Sequence, residues 1–152
     1  MKKMKLIPEG KNVRLKIDSA IDESCEFPDQ VACDTIRVDL DSLKLFNSLG
    51  IRLWLNWTRE KRGFKSMKLD NCRPCFIRQV RHIPHVIPAF AQVASFFVPY
   101  YNAQTDETTE VLMVFGKDYD ETKFTVPQVK NAAGEPLELD VADNYFDFLK
   151  AK

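Results

Sequence analysis

The chain has 152 residues, 45% of them hydrophobic, with 11 phenylalanines and two tryptophans, which suffices for one packed domain, or one with a small appendage, and argues against a disordered chain. Its 22 basic and 22 acidic side chains cancel, so the overall charge of a nucleic-acid binder is missing. No apolar run approaches the roughly 20 residues of a membrane span, and the opening MKKMKLIPEG is basic but lacks the apolar stretch of a signal peptide. The expectation is a cytoplasmic protein whose Cys25, Cys33, Cys72 and Cys75 are reduced thiols.

VRLKI at 13–17 alternates apolar and polar residues and reads as a half-buried strand, with SAIDESCEF leading into a second strand or turn. TIRVDLDSL alternates again, with Ile36, Val38 and Leu40 on one face, and is the expected central strand. Asn47 and Ser48 are both good helix N-caps for LGIRLWLNWTREK, whose Ile51, Trp54, Leu55 and Thr58 form one stripe, and Gly63 suits the helix end. FKSMKL gives a further strand, and Asn71 offers a cap for a second helix through CRPCFIRQVRHI, with Pro74 in its permissive first turn and Phe76, Ile77, Val80 and Ile83 facing the core. QVASFFVPYY is the next strand. After it come strands at Glu110–Phe115 and Glu135–Asp140 and a closing amphipathic helix in NYFDFLK, where Tyr145, Phe148 and Leu149 face the core.

The neutral total conceals a division. Residues 1–101 carry 17 Lys/Arg against 11 Asp/Glu, a net of +6, and residues 102–152 carry 5 against 11, a net of −6. The predicted organisation is an α/β domain over 1–101, with helices packed on a mixed sheet, and a small β-hairpin appendage over 102–152.

Three constellations could carry chemistry. Cys72 and Cys75 form Cys-x-Pro-Cys beside Arg73, the spacing of a thiol–disulfide exchange site if a helix N-terminus stabilises the thiolate. The same pair with Cys25 or Cys33 could ligate a metal, although packing is the simpler role, and His82 and His85 lack any carboxylate or serine arranged around them. Nine basic residues from Arg52 to Arg81, near Trp54, Trp57 and Phe64, could form a nucleotide or nucleic-acid face; the helix-core spacing of the aromatics and the neutral total favour a solvated positive surface instead. No phosphate-cradling glycine motif or nucleophile elbow occurs.

VDLDSLKLFNSLGIRLWLNW resembles the central strand, loop and first helix of STAS domains, the fold of anti-sigma factor antagonists and of sulphate-transporter tails, and KLDNCRPCFIRQV and VASFFVPY look like the later strand, helix and strand of a bacterial STAS-like group. The resemblance covers residues 13–101. It implies a non-catalytic protein-interaction module in bacterial signalling or regulation, without cofactor or metal. The family's Asp-Ser-Ser-Gly loop is here Asn47, Ser48, Leu49 and Gly50, so its phosphorylated serine is replaced by Leu49, and Ser48 is first of all a helix-capping candidate. The implied binding surface is Asn47, Ser48, Leu49, Gly50, Arg52, Asn56 and Arg59, fitting a regulatory protein with an acidic patch rather than a membrane or nucleic acid. The group commonly continues into a zinc ribbon, whose four cysteines would fall at Asn102, Thr105, Lys130 and Ala133; the resemblance thus implies a ribbon without its metal ligands.

Overall fold

The computed structural model describes residues 4–142 and 144–149. Its strands are β1 (Met4–Glu9), β2 (Asn12–Ile17), β3 (Ser19–Ile21), β4 (Cys33–Asp39), β5 (Leu43–Phe46), β6 (Phe64–Asp70), β7 (Ala91–Val93), β8 (Ser95–Asn102), β9 (Glu107–Val114) and β10 (Glu138–Leu139); its two α-helices are α1 (Ser48–Trp57) and α2 (Pro74–His82). The class is mixed α/β. A five-stranded sheet runs β1-β2-β4-β6-β7, with β1 antiparallel to β2 and the other neighbours parallel; β10-β8-β9 form a second, antiparallel sheet, and β3 and β5 a short parallel pair.

Period-2 alternation sets the two faces of the main sheet. Leu15, Ile17, Ile36, Val38, Met67, Leu69 and Val93 are buried in one cluster with Ile51, Trp54 and Trp57 of α1 and Phe76, Ile77 and Val80 of α2, so both helices lie on that side. Trp54 is fully buried, and its indole N–H donates to the Val86 carbonyl at 2.7 Å. The intervening residues Arg14, Arg37, Lys68, Asp39 and Asp70 stand on the other face. There Asp70, only 6% exposed, accepts Arg37 Nε and Nη2 at 2.8 and 2.7 Å, while Arg14 Nη1 reaches Asp70 and Asp39 at 3.3 and 3.4 Å.

The two sheets join at one corner. Beyond β6, Asn71 adopts a left-handed φ of 54°, its N–H donates to Ser95 Oγ at 2.7 Å, and the Cys72 N–H and C=O bond to Ser95 and Phe97 at 3.0 Å each. This carries the ladder from β6 onto β8 and seats Phe96 at the centre of a second aromatic group containing Tyr119, Phe124, Phe146 and Phe148. The charge boundary near Tyr101 therefore falls inside the β8–β9 hairpin. Arg73 fastens the same corner: it donates to the Asp41 carbonyl at 2.7 Å, pairs with Glu110 of β9 and lies 4.1 Å from the Phe97 ring centre.

Several boundaries differ from the sequence expectation. Helix α1 stops at Trp57, where Thr58 Oγ1 bonds back to the Trp54 carbonyl, instead of continuing to Gly63. Helix α2 begins at Pro74 with Arg73 in the cap position, so Asn71 is not its cap. The strand expected through QVASFFVPYY breaks at Ala94, which donates to Leu69 while its neighbours enter different sheets. Glu135–Asp140 keeps only the two-residue β10, and in place of the closing helix Asp147–Leu149 make a single 3-10 turn; Lys150 lies outside the described residues.

Gly50 is the tightest point of the helix–strand packing. A Cβ there would lie 1.8 Å from the Ile21 backbone oxygen at the end of β3, and that same oxygen accepts the Asn47 N–H, so the backbone cannot yield cheaply. Gly50→Ala is expected to cost at least about 3 kcal/mol of unfolding free energy, read as a lowered urea midpoint. Burial raises the phenol pKa values of Tyr119 and Tyr145, whose hydroxyls donate to the Val93 and Phe97 carbonyls at 2.6 Å. The unfolded phenols ionise near pH 10 and the folded ones higher, so this contribution is complete below about pH 10 and is lost as the pH rises from there through the folded values. Urea midpoints should fall above about pH 10, and less steeply in Tyr119→Phe/Tyr145→Phe, which starts from a lower stability at neutral pH.

Candidate partner-binding surface

The corner between β5 and α1 is built from the backbone outward. Asn47, in an extended conformation, caps α1 by accepting the Gly50 N–H at 2.8 Å, and its Nδ2 donates to Glu23 at 3.2 Å. Of the two cap candidates Asn47 is therefore the one used, and Ser48 is left as the exposed first helical residue. Phe46 turns inward and stacks on Phe76 at 5.4 Å, and its carbonyl accepts Gln79 Nε2 at 3.5 Å, which ties the corner to α2.

What remains outside is a compact set of side chains. Leu45 and Leu49, on either side of the corner, are 48% and 49% exposed, two of the six exposed large hydrophobics among the described residues. Ser48, Arg52 and Asn56 are exposed at a spacing of four, one stripe of α1, and Arg59 is exposed just past its end. Five of the seven surface residues expected from sequence thus share an accessible region, Asn47 is half-buried beneath it, and Gly50 is buried; Gly50 supports the surface without belonging to it. Leu45 was missed because its strand, LKLF, is too short to show alternation.

The thiol pair lacks the geometry that would activate it. Cys72 precedes α2, bridges to Phe96 and is fully buried, and burial near Asp70 and Asp39 pushes its thiol well up. Cys75 does lie in the first turn of α2, but its partial burial outweighs the helix N–H groups and the nearby Arg78 and Arg73, and its pKa is raised too. Neither is the lowered-pKa thiolate that exchange needs. Among the described residues no three His, Cys, Asp or Glu side chains converge as a metal-binding group, so Cys25 and Cys33 do not complete a site with this pair.

The nine basic residues do not make one positive surface. Arg52 and Arg59 belong to the α1 side, whereas Lys68 projects from the opposite face of the sheet; Arg62 donates to the Trp57 and Asn56 carbonyls, and Arg73 is held by Asp41 and Glu110. Trp54 and Trp57 are buried and unable to stack on bases. His82 and His85 are exposed near the end of α2. His85 and Arg81 border a cleft of about 750 Å³, and a second of about 690 Å³ lies beyond Ile87 and Phe148, which line both. Neither was legible in sequence, because the walls come from segments some 60 residues apart.

The four positions placed by the ribbon resemblance lie in or beside two turns. Asn102 Oδ1 accepts the Gln104 N–H in the first, and Asn131 Oδ1 accepts the Ala133 and Glu135 N–H groups in the second, while Gln104 of one turn bonds to Glu135 of the other. The hairpin tips are therefore side by side. No family model, curated protein or solved structure matches the chain. No helix among the described residues is long and apolar enough to cross a membrane.

The thiol environments give a direct test. In the native protein at about pH 8, below the ordinary cysteine pKa, iodoacetamide should leave Cys72 unmodified and label Cys75 more slowly than a free cysteine, with both reacting fully after denaturation. Mass spectrometry of timed samples reads the outcome, and fast native alkylation of Cys72 would restore the exchange reading.

Proposed function

We propose that the chain is a non-catalytic protein-interaction module of bacterial signalling or regulation, with a STAS-like domain over residues 1–101 and a metal-free, ribbon-like appendage over 102–152. It binds its partner through the β5–α1 corner and the exposed stripe of α1. The observation that carries this reading is the pair of exposed leucines, Leu45 and Leu49, beside exposed Ser48, Arg52 and Asn56, on a corner that Asn47 and Gly50 hold rigid.

An apolar centre with a polar, basic border is the usual anatomy of a recognition surface, and a preformed corner loses little entropy on binding. The order of elements agrees with the resemblance: a strand ending in Asp39, a capped helix, a parallel strand and a second helix on the same face. The adjoining hairpin tips, tied by Gln104 and Glu135, support the ribbon-like reading of the appendage. Leu49 stands where the STAS family carries its phosphorylated serine, so partner affinity here is set by an apolar contact rather than switched at that position. Arg52 and Arg59 favour an acidic border on the partner.

The test is affinity capture with the tagged full chain, comparing the natural sequence with Leu49→Asp/Arg52→Glu. Both positions are exposed, so circular dichroism and the urea midpoint should be unchanged. A protein partner captured by the natural sequence should be reduced at least tenfold by the double variant; equal recovery would move the binding surface elsewhere.

A further inference from the structure

We propose that the face of the main sheet turned away from α1 and α2 is a second docking surface, for a folded protein partner that presents discrete carboxylates. The surface is distinct from the β5–α1 corner and does not depend on it. Parallel strands are ordinarily covered on both faces, yet β2, β4, β6 and β7 have their helices on one face only. The other face carries an ordered array of charge.

Arg14, Arg37 and Lys68 are directly opposite one another across β2, β4 and β6, and in the neighbouring register Lys5, Lys16, Asp39 and Asp70 follow one another across β1, β2, β4 and β6. Adjacent strands are about 4.8 Å apart, and like charges directly opposite each other oppose sheet formation. Asp39 and Asp70 answer Arg14 and Arg37. Among the described residues no carboxylate lies within ion-pair distance of Lys5, Lys16 or Lys68. The folded chain therefore retains an excess of cations on this half-exposed sheet face.

Charge complementarity selects the occupant. Arg37 is held by two parallel bonds to Asp70, and Arg14 is shared among Glu9, Asp39 and Asp70; guanidinium groups fixed this way lose little freedom on meeting an anion. The two aspartates interrupt the positive field, which disfavours a continuous phosphate chain but suits carboxylates placed opposite the lysines. No aromatic side chain stands in these rows to stack on a base.

The experiment is a nuclear magnetic resonance titration of the isotope-labelled full chain with a decapeptide of alternating glutamate and serine, at about 20 mM and about 500 mM salt. At low salt the amides of Lys16, Arg37 and Lys68 should shift, and high salt should abolish the effect. Lys16→Gln/Lys68→Gln removes charges that make no ion pair among the described residues and should weaken binding about fivefold, whereas Arg52→Glu on α1 should leave this face unchanged. Absence of shifts at low salt, shifts confined to α1, or undiminished binding by the lysine double variant would overturn the proposal. So would oligothymidine binding this face more tightly than the peptide. Shifts confined to α1 would leave the β5–α1 reading standing, so the two failures are distinguishable.

Discussion

The structure depends on the corner where β6 ends. A left-handed Asn71 lets Cys72 step sideways, exchange backbone hydrogen bonds with Ser95 and Phe97, and pass the ladder from the parallel sheet to the antiparallel one. Such a step needs a buried side chain that tolerates close backbone on both sides. Cys72 provides one, small and wholly enclosed. Phe96, delivered by the same step, is the hub on which the aromatic groups of residues 119–149 converge. A basic first part and an acidic second part are thereby one folded body, with Arg73 bridging Asp41 and Glu110 at the joint.

The proposed binding surfaces are what this frame leaves uncovered. The helices fill one side of the main sheet, so their outward edge and the opposite sheet face remain as surfaces of defined chemistry: the first is apolar with a basic border, the second charged. Gly50 makes the first possible by letting α1 rest directly on the β3 backbone. A larger residue would lift Leu49 and Arg52 away from the corner. The cysteine motif is a joint element whose burial suppresses the chemistry its spacing advertises.

Much of this was legible in the sequence. The alternation in VRLKI and TIRVDLD gave the sheet faces, and with them Arg14, Arg37 and Asp39 on the polar side, a grouping whose meaning emerged only once the register set them opposite one another. The stripe of α1 was read correctly at Ile51 and Trp54, and Thr58 just past the helix end is buried as well. Failures occurred where non-local contacts overrule local preference. Asn71 looks like a helix cap, but its side chain is taken by Asp39 and Ser95, 32 and 24 residues away. The strand through Ala94 reads as continuous because a change of partner sheet leaves no periodic trace. Asp147–Leu149 shows helical spacing, yet its backbone closes only short 3-10 bonds, Asp147 to Asn144 and Leu149 to Phe146, while Phe148 packs on Phe96.

The order of strands in the main sheet has a consequence for how the chain assembles. From β1 to β7 every strand is laid beside one already made, with β3 and β5 set apart as a small pair, so the sheet extends at a single growing edge in the order of synthesis. A nascent chain could complete each strand–helix unit as it emerges, without holding an early strand open for a late one. β3, which waits for β5 until β4 has been made, and β10 depart from this. β10 must return from residue 138 to pair with Tyr100 and Tyr101 on β8, so the antiparallel sheet gains its third strand last.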